Sequence, residues 1–183
     1  MKPILFNTEM VQAILEGRKT VTRRVIKDKD IINSWDCEND GTPIAYIDQA
    51  TGDSYAPTIS CPYQPGDIMW VRETWTYVPD GSYVYKASVE CPDAWRGTWH
   101  PSIHMPREAA RIFLQVKEVR VEQLQDCGSA QAKDEGCTCC SQFVRVWNNT
   151  IKPADCDRYG WEANPWVWVI EFEQVSRPPE GEA

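Results

Sequence analysis

The run from Ala110 to Leu124 constrains the fold of this chain most, because Ile112, Leu114, Val116, Val119 and Val121 recur among polar neighbours along the whole stretch. Successive side chains of a strand point to opposite faces, so this spacing predicts a long strand, or a pair of strands, through the centre of a sheet or barrel. Shorter strands are expected at Pro3–Phe6, Thr20–Ile26, Ile68–Trp75, Tyr83–Val89 and Trp166–Val175, the last set off by Pro165. Helical spacing is confined to short pieces. Met10, Val11, Ile14 and Leu15 follow a cap at Asn7 or Thr8; a second piece starts from Asp126 and ends at Glu135 and Gly136; a third covers Phe143–Trp147. Seven or so strands with two or three small helices, and no regular alternation of the two, predict an α+β protein built on a small barrel. Closing the sheet would remove its exposed edges.

A chain of 183 residues suits one domain with a single core. That domain is expected over residues 1–175, with insertions near 28–60 and 76–105. The first would hold a hairpin of Ile44–Ile47 with Ser54–Ile59, and the second a shaped loop from Cys91 to Pro106. The tail, residues 176–183, carries Pro178, Pro179 and Gly181 and is expected to be disordered. No basic-then-apolar leader is visible, and no apolar run approaches the ~18 residues that a membrane span needs, so a cytoplasmic protein without membrane contact is expected. In that compartment the eight cysteines are expected as free thiols. Cys127, Cys137, Cys139, Cys140 and Cys156 offer enough sulfur for zinc, but their spacing matches neither Cys-x2-Cys pairs nor a Cys2His2 finger, so no metal and no cofactor is predicted. With His100 and His104 the only histidines, a His-based triad is not expected.

Charge points to one place. The chain is acidic, at −8, yet residues 1–29 carry seven Lys and Arg against three Asp and Glu, which leaves −12 for the rest. Such acidity argues against broad coating of DNA or RNA, double-stranded DNA above all, because nonspecific affinity comes from many Lys and Arg on phosphates; a small nucleic-acid footprint or a single nucleoside stays open. The basic residues cluster in Gly17–Arg24. Gly17 can end the first helix in a left-handed conformation, which puts Lys19 in the turn; period two then gives Thr20, Thr22 and Arg24 a common strand face, with Val21, Arg23 and Val25 on the other. Like charges from Arg18, Arg23 and Arg24 would disfavour the protonated form of Lys19. A lysine so tuned can take the proton of Thr22, whose hydroxyl is a weak nucleophile without a base. The plainer alternative is a basic strand end filled with β-branched residues.

These residues, read as Gly17-x-Lys19-x-x-Thr22-x-Arg24, resemble the Gly-x-Lys-x-x-Glu/Thr-x-Arg signature of the ASCH domain family in the PUA-like superfamily. Pro65-Gly66-Asp67 with Val71-Arg72-Glu73-Thr74-Trp75, the segment Ile103-His104-Met105-Pro106-Arg107, and Asn164-Pro165-Trp166 look like the longer ASCH proteins of phages and prophages. The resemblance implies a PUA-like barrel of about six or seven strands with two or three flanking helices, and a signature-lined cleft that binds RNA or a modified nucleoside. One branch of the family, the bacterial N4-acetylcytidine amidohydrolases, hydrolyses an exocyclic amide. Its catalytic lysine and threonine match Lys19 and Thr22, and its catalytic glutamate is best matched by Glu135. Gly17, Thr20, Arg24, Arg72, Trp75 and Arg107 are the expected substrate-binding residues, Trp75 as a stacking surface for a base and Arg107 for phosphate or carboxylate. This chain is longer than that branch, with extra loops and a Cys-rich segment after Glu135. A non-catalytic RNA-binding regulatory module and a phage protein-interaction module stand as alternatives.

Overall fold

The computed structural model describes residues 1–26, 61–90 and 97–179, together with the backbone of three short strands between residues 35 and 55. The chain runs β1 (Lys2–Leu5), α1 (Thr8–Leu15), β2 (Val21–Val25), β3 (Trp35–Cys37), β4 (Pro43–Ile47), β5 (Ser54–Tyr55), β6 (Ile68–Arg72), β7 (Trp75–Tyr77), β8 (Tyr83–Tyr85), β9 (Phe113–Gln123), α2 (Ser129–Asp134), α3 (Cys140–Thr150), α4 (Cys156–Tyr159) and β10 (Trp166–Val175). It is an α+β fold. Five strands form a mixed sheet in the order β1-β6-β9-β10-β2, in which β1 and β6 are parallel and every other pair is antiparallel.

The alternating run sits at the sheet centre as expected: β9 is the longest strand and lies between β6 and β10. Its apolar parity changes between Val116 and Val119 because the pairing slips there. Glu171 faces Glu118 while Phe172 faces Val116, so Lys117 is an extra residue on β9 and the strand bulges. Leu114 and Val116 from β9 and Val167, Val169, Ile170 and Phe172 from β10 are buried with Met10, Val11 and Ile14 of α1 and Phe143 and Trp147 of α3. Burying each such side chain is worth about 1.5–3 kcal/mol, enough to hold these two short helices on the sheet. Leu15, grouped by spacing with the core face of α1, is instead exposed.

A second, smaller core of Trp70, Met105, Ala109, Ala110 and Phe113 lies under the two-stranded β7–β8 hairpin. Here the expected single strand Ile68–Trp75 breaks: β6 ends at Arg72, and Trp75 opens β7. The strand expected over Tyr83–Val89 likewise stops at Tyr85 and continues as a 3-10 turn, Lys86–Ser88. Asp126 does not cap α2. Its carboxylate accepts from the Gln123 backbone N–H to close the preceding 3-10 turn, and Gly128 caps α2.

β4 pairs with β5, as the expected hairpin requires, and β3 adds to its other side. The rest of the first insertion, residues 91–96 of the second and residues 180–183 of the tail lie outside the described residues. No described helix is long and apolar enough to cross a membrane. Among the described residues no backbone ladder joins the outer strands β1 and β2. A side chain spans them instead, with Arg24 Nη2 donating to the Leu5 carbonyl at 3.0 Å.

Candidate functional site

The site grows from the end of α1. Gly17 takes a φ of +71°, a left-handed conformation that favours glycine, and the amides of Arg18 and Lys19 both return to the Ala13 carbonyl. The chain leaves the helix sharply and runs beside the end of α2. Lys19 pairs with Glu135 as an isolated antiparallel bridge, Thr20 N–H donates to the Asp134 carbonyl, and Phe172 N–H donates to the Thr20 carbonyl. The approach depends on Gly136. Its φ is +83°, and a Cβ there would stand 2.7 Å from that of Ala13 and 3.2 Å from that of Lys19.

Lys19 is only 3% exposed. Its Nζ donates to the Val21 carbonyl at 2.7 Å, the Glu135 carbonyl at 3.0 Å and Glu135 Oε2 at 2.5 Å. Burial is the main force that pulls its pKa below the ordinary 10.5; Glu135 opposes this, and Arg24 adds a little to the lowering. Of the three arginines expected to act on Lys19 only Arg24 does so, and it is a minor cause beside burial. The other oxygen of Glu135 accepts from Arg23 Nη1 at 3.2 Å. Arg23, its side chain wholly buried, is braced by Glu122, which accepts from Nε at 2.8 Å and Nη2 at 2.5 Å. One carboxylate, that of Glu135, thus serves two cations.

Thr22 is 1% exposed, and its Oγ1 accepts from Arg24 Nη1 at 2.9 Å. Thr22 and Arg24 share a face, as period two requires. Arg24 also donates to the Arg23 carbonyl and lies over the Phe6 ring, 5.2 Å from its centre, while Lys19 Nζ lies 5.6 Å from the same ring. These groups line a cleft of about 400 Å³ whose other walls are mostly apolar, with Leu5 and Phe6 and, from α3, Phe143, Val146 and Trp147, besides the polar Asn7, Tyr63 and Thr150. Small-molecule sites span about 300–1,000 Å³ and combine such walls with a few convergent polar groups.

Of the residues singled out in the sequence, Lys19, Thr22, Arg24 and Glu135 meet in this cleft. Gly17 shapes its approach without lining it, and Thr20 is exposed beside it, bonded through its backbone. Arg72, Trp75 and Arg107 do not line it. Arg72 Nε donates to the Met105 carbonyl, and its guanidinium lies over Trp70. Trp75 packs on Tyr83 and His100, and Arg107 reaches toward the sulfur of Met1. The break in the strand after Arg72 sends this region to the second core.

Parity assigns Arg23 to the far strand face, yet it holds Glu135. An arginine between Val21 and Val25 on an apolar parity requires a buried acidic partner, and that signal is present in the sequence. Phe6, Phe143 and Trp147 carry only core periodicity. In the Cys-rich segment Cys137 lines the cleft, with burial raising its pKa, while exposed Cys139 is held down at about 7 by hydrogen bonds from Ser141, Gln142 and Thr138. Among the described residues no three His, Cys, Asp or Glu side chains are grouped to hold a metal ion.

No protein-family model matches the chain. No curated protein matches it either. Among solved structures, protein EF3133 from Enterococcus faecalis V583, of the family model DUF984, superposes with a TM-score of 0.43 at 11% identity over 90% of this chain. This chain spans 66% of the length of that protein. The likeness is too slight to speak for the site.

Proposed function

We propose that this chain is an ASCH-like protein whose five-stranded mixed sheet is a variant of the PUA-like barrel, and that its cleft binds RNA or a modified nucleoside and hydrolyses an exocyclic amide such as that of N4-acetylcytidine. The observation that carries this reading is the buried Lys19–Glu135 contact beside Thr22 in one ligand-sized cleft.

The chemistry follows from the geometry. A proton passing from Lys19 Nζ to Glu135 Oε2, 2.5 Å away, leaves a neutral amine and a carboxylic acid. Burial favours that exchange, because it disfavours the charged lysine. The amine takes the Thr22 proton as Oγ1 bonds to the amide carbon, Arg24 Nη1 keeps its hydrogen bond to Oγ1, and the carbon–nitrogen bond breaks as Glu135 protonates the departing amine. Water then cleaves the threonine ester: Glu135, again a carboxylate, takes a proton from the attacking water, and Lys19, now an ammonium, returns a proton to Thr22 Oγ1 as the ester bond breaks.

Incubation with N4-acetylcytidine, read by chromatography, tests the reading. The wild type is expected to release acetate and cytidine, with Lys19→Ala and Thr22→Ala each slowed at least about a hundredfold, as loss of a base or nucleophile requires. No deacetylation by the wild type would sink the amidohydrolase reading. RNA binding without turnover would instead favour the regulatory module.

A further inference from the structure

Charge does not balance in the cleft. The Nζ of Lys19 donates to three acceptors, whereas a neutral amine has only two N–H bonds, so this geometry belongs to an ammonium. Arg23 and Arg24 are permanently charged. Among the described residues two carboxylates, Glu135 and Glu122, stand against these three cations, and Glu122 is shared with Arg120 at 3.6 Å. Arg24 is the cation left over. Among the described residues it has no ion pair. Three of its five N–H groups are spent on neutral oxygens, those of Thr22, Arg23 and Leu5, and the other two meet no acceptor among those residues.

A guanidinium partly withdrawn from water, beside the cationic Lys19 and with Glu135 acting on it only from beyond ion-pair distance among the described residues, is costly unless an anion arrives from outside. Its planar fork suits two parallel bonds to a carboxylate or phosphate. The remainder of the cleft is mostly apolar and partly aromatic, with Phe6, Phe143 and Trp147 within reach of a ring and Asn7, Tyr63 and Thr150 as its other polar side chains. We infer that the ligand is a planar ring compound bearing one oxyanion group, carboxylate or phosphate monoester, which Arg24 grips at the seam between β1 and β2. The inference rests on the proposed function only in placing ligand and chemistry in the same cleft. It sets an anionic conjugate, such as a nucleotide, above a free neutral nucleoside.

Calorimetry on the full chain with matched pairs tests this: cytidine against cytidine 5′-monophosphate, benzyl alcohol against benzoate, and inorganic phosphate alone. The anionic member of at least one pair is expected to bind about tenfold or more tighter than its neutral twin, and that pair identifies the oxyanion. Inorganic phosphate should bind more weakly than the nucleotide. Arg24→Gln should erase the preference while neutral ligands still bind, and Arg24→Lys, which keeps the charge but not the fork, should retain part of it. Equal binding within both pairs, no binding by any member, or an undiminished preference in Arg24→Gln overturns the inference. Thr22→Ala should keep the preference, so lack of turnover leaves this result standing, while turnover of a neutral nucleoside without anion preference sinks the inference alone.

Discussion

Two carboxylates are buried among the described residues, and their surroundings differ. Glu73, 1% exposed, meets Arg111 in a two-pronged pair, with Nε to Oε1 at 2.8 Å and Nη2 to Oε2 at 2.9 Å; Arg111 also donates to Ser88 Oγ and lies over the Tyr85 ring at 4.1 Å. Glu135 divides its oxygens between Lys19 and Arg23 and faces a cleft. The Glu73 pair is matched one charge to one, and its geometry leaves nothing for a ligand to complete. The Glu135 cluster is unmatched. Balanced buried pairs hold structure together, while an unbalanced one facing a cavity has capacity for chemistry or for a guest.

The contrast can be broken most severely at Glu135. In Glu135→Ala two buried cations lose their shared anion, and Arg23 cannot shed its proton; unfolding in urea should show a loss of about 3–5 kcal/mol. Arg111→Met should cost roughly half as much, since water reaches the exposed part of Arg111 and a lone carboxylate can take up a proton. Equal losses would mean that the two sites do not differ in the way their charges suggest.

Gly136→Ala probes how closely the two helix ends meet. The left-handed φ and the 2.7 Å approach to Ala13 should together cost about 1–3 kcal/mol. Because the strain falls beside Lys19 and Glu135, deacetylation should fall more than stability does, whereas Gly17→Ala, with nothing within 4 Å of its Cβ, should show only the conformational cost. Matching losses in the two variants, by thermal melting and by rate, would refute the geometric account.

The smallest effect is a pH slope. The pKa of Lys19 is lowered on folding, so between its folded pKa and 10.5 the unfolded chain binds more protons than the folded one. Stability from this group is therefore lowest below the folded pKa and rises as pH climbs through that window. Lys19→Met should flatten the rise in chemical-denaturation curves taken across alkaline pH. A slope unchanged in the variant would assign it to other groups.

What the sequence makes legible is local. β10 spans Trp166–Val175, the stretch that alternation and Pro165 mark out, and the helix-ending role of Gly17 follows from its place after the last apolar residue of α1. Both depend on short-range periodicity. The partnership of Lys19 with Glu135 joins residues 116 apart, and no spacing rule reaches that far; resemblance to a family, not periodicity, pairs them. The role of Arg23 is hidden for a related reason, since its brace Glu122 lies on β9, beyond the intervening β10. Arg72 and Trp75 belong to the cleft only if the strand continues past Arg72, and Arg107 only if its loop follows that strand. The requirement to bury Glu73 against Arg111 turns the chain away instead.

The pairing of β2 carries a consequence for how the protein is made. Among the described residues the strand that bears Thr22 and Arg24 has its ladder with β10, which a ribosome synthesises roughly 140 residues later. Until Trp166–Val175 emerges, Thr22 and Arg24 have no strand beside them, and closing so long a stretch of chain is slow. A nascent chain stalled before β10 would therefore expose its most basic segment without an assembled site, and ligand affinity would appear only with the final strand.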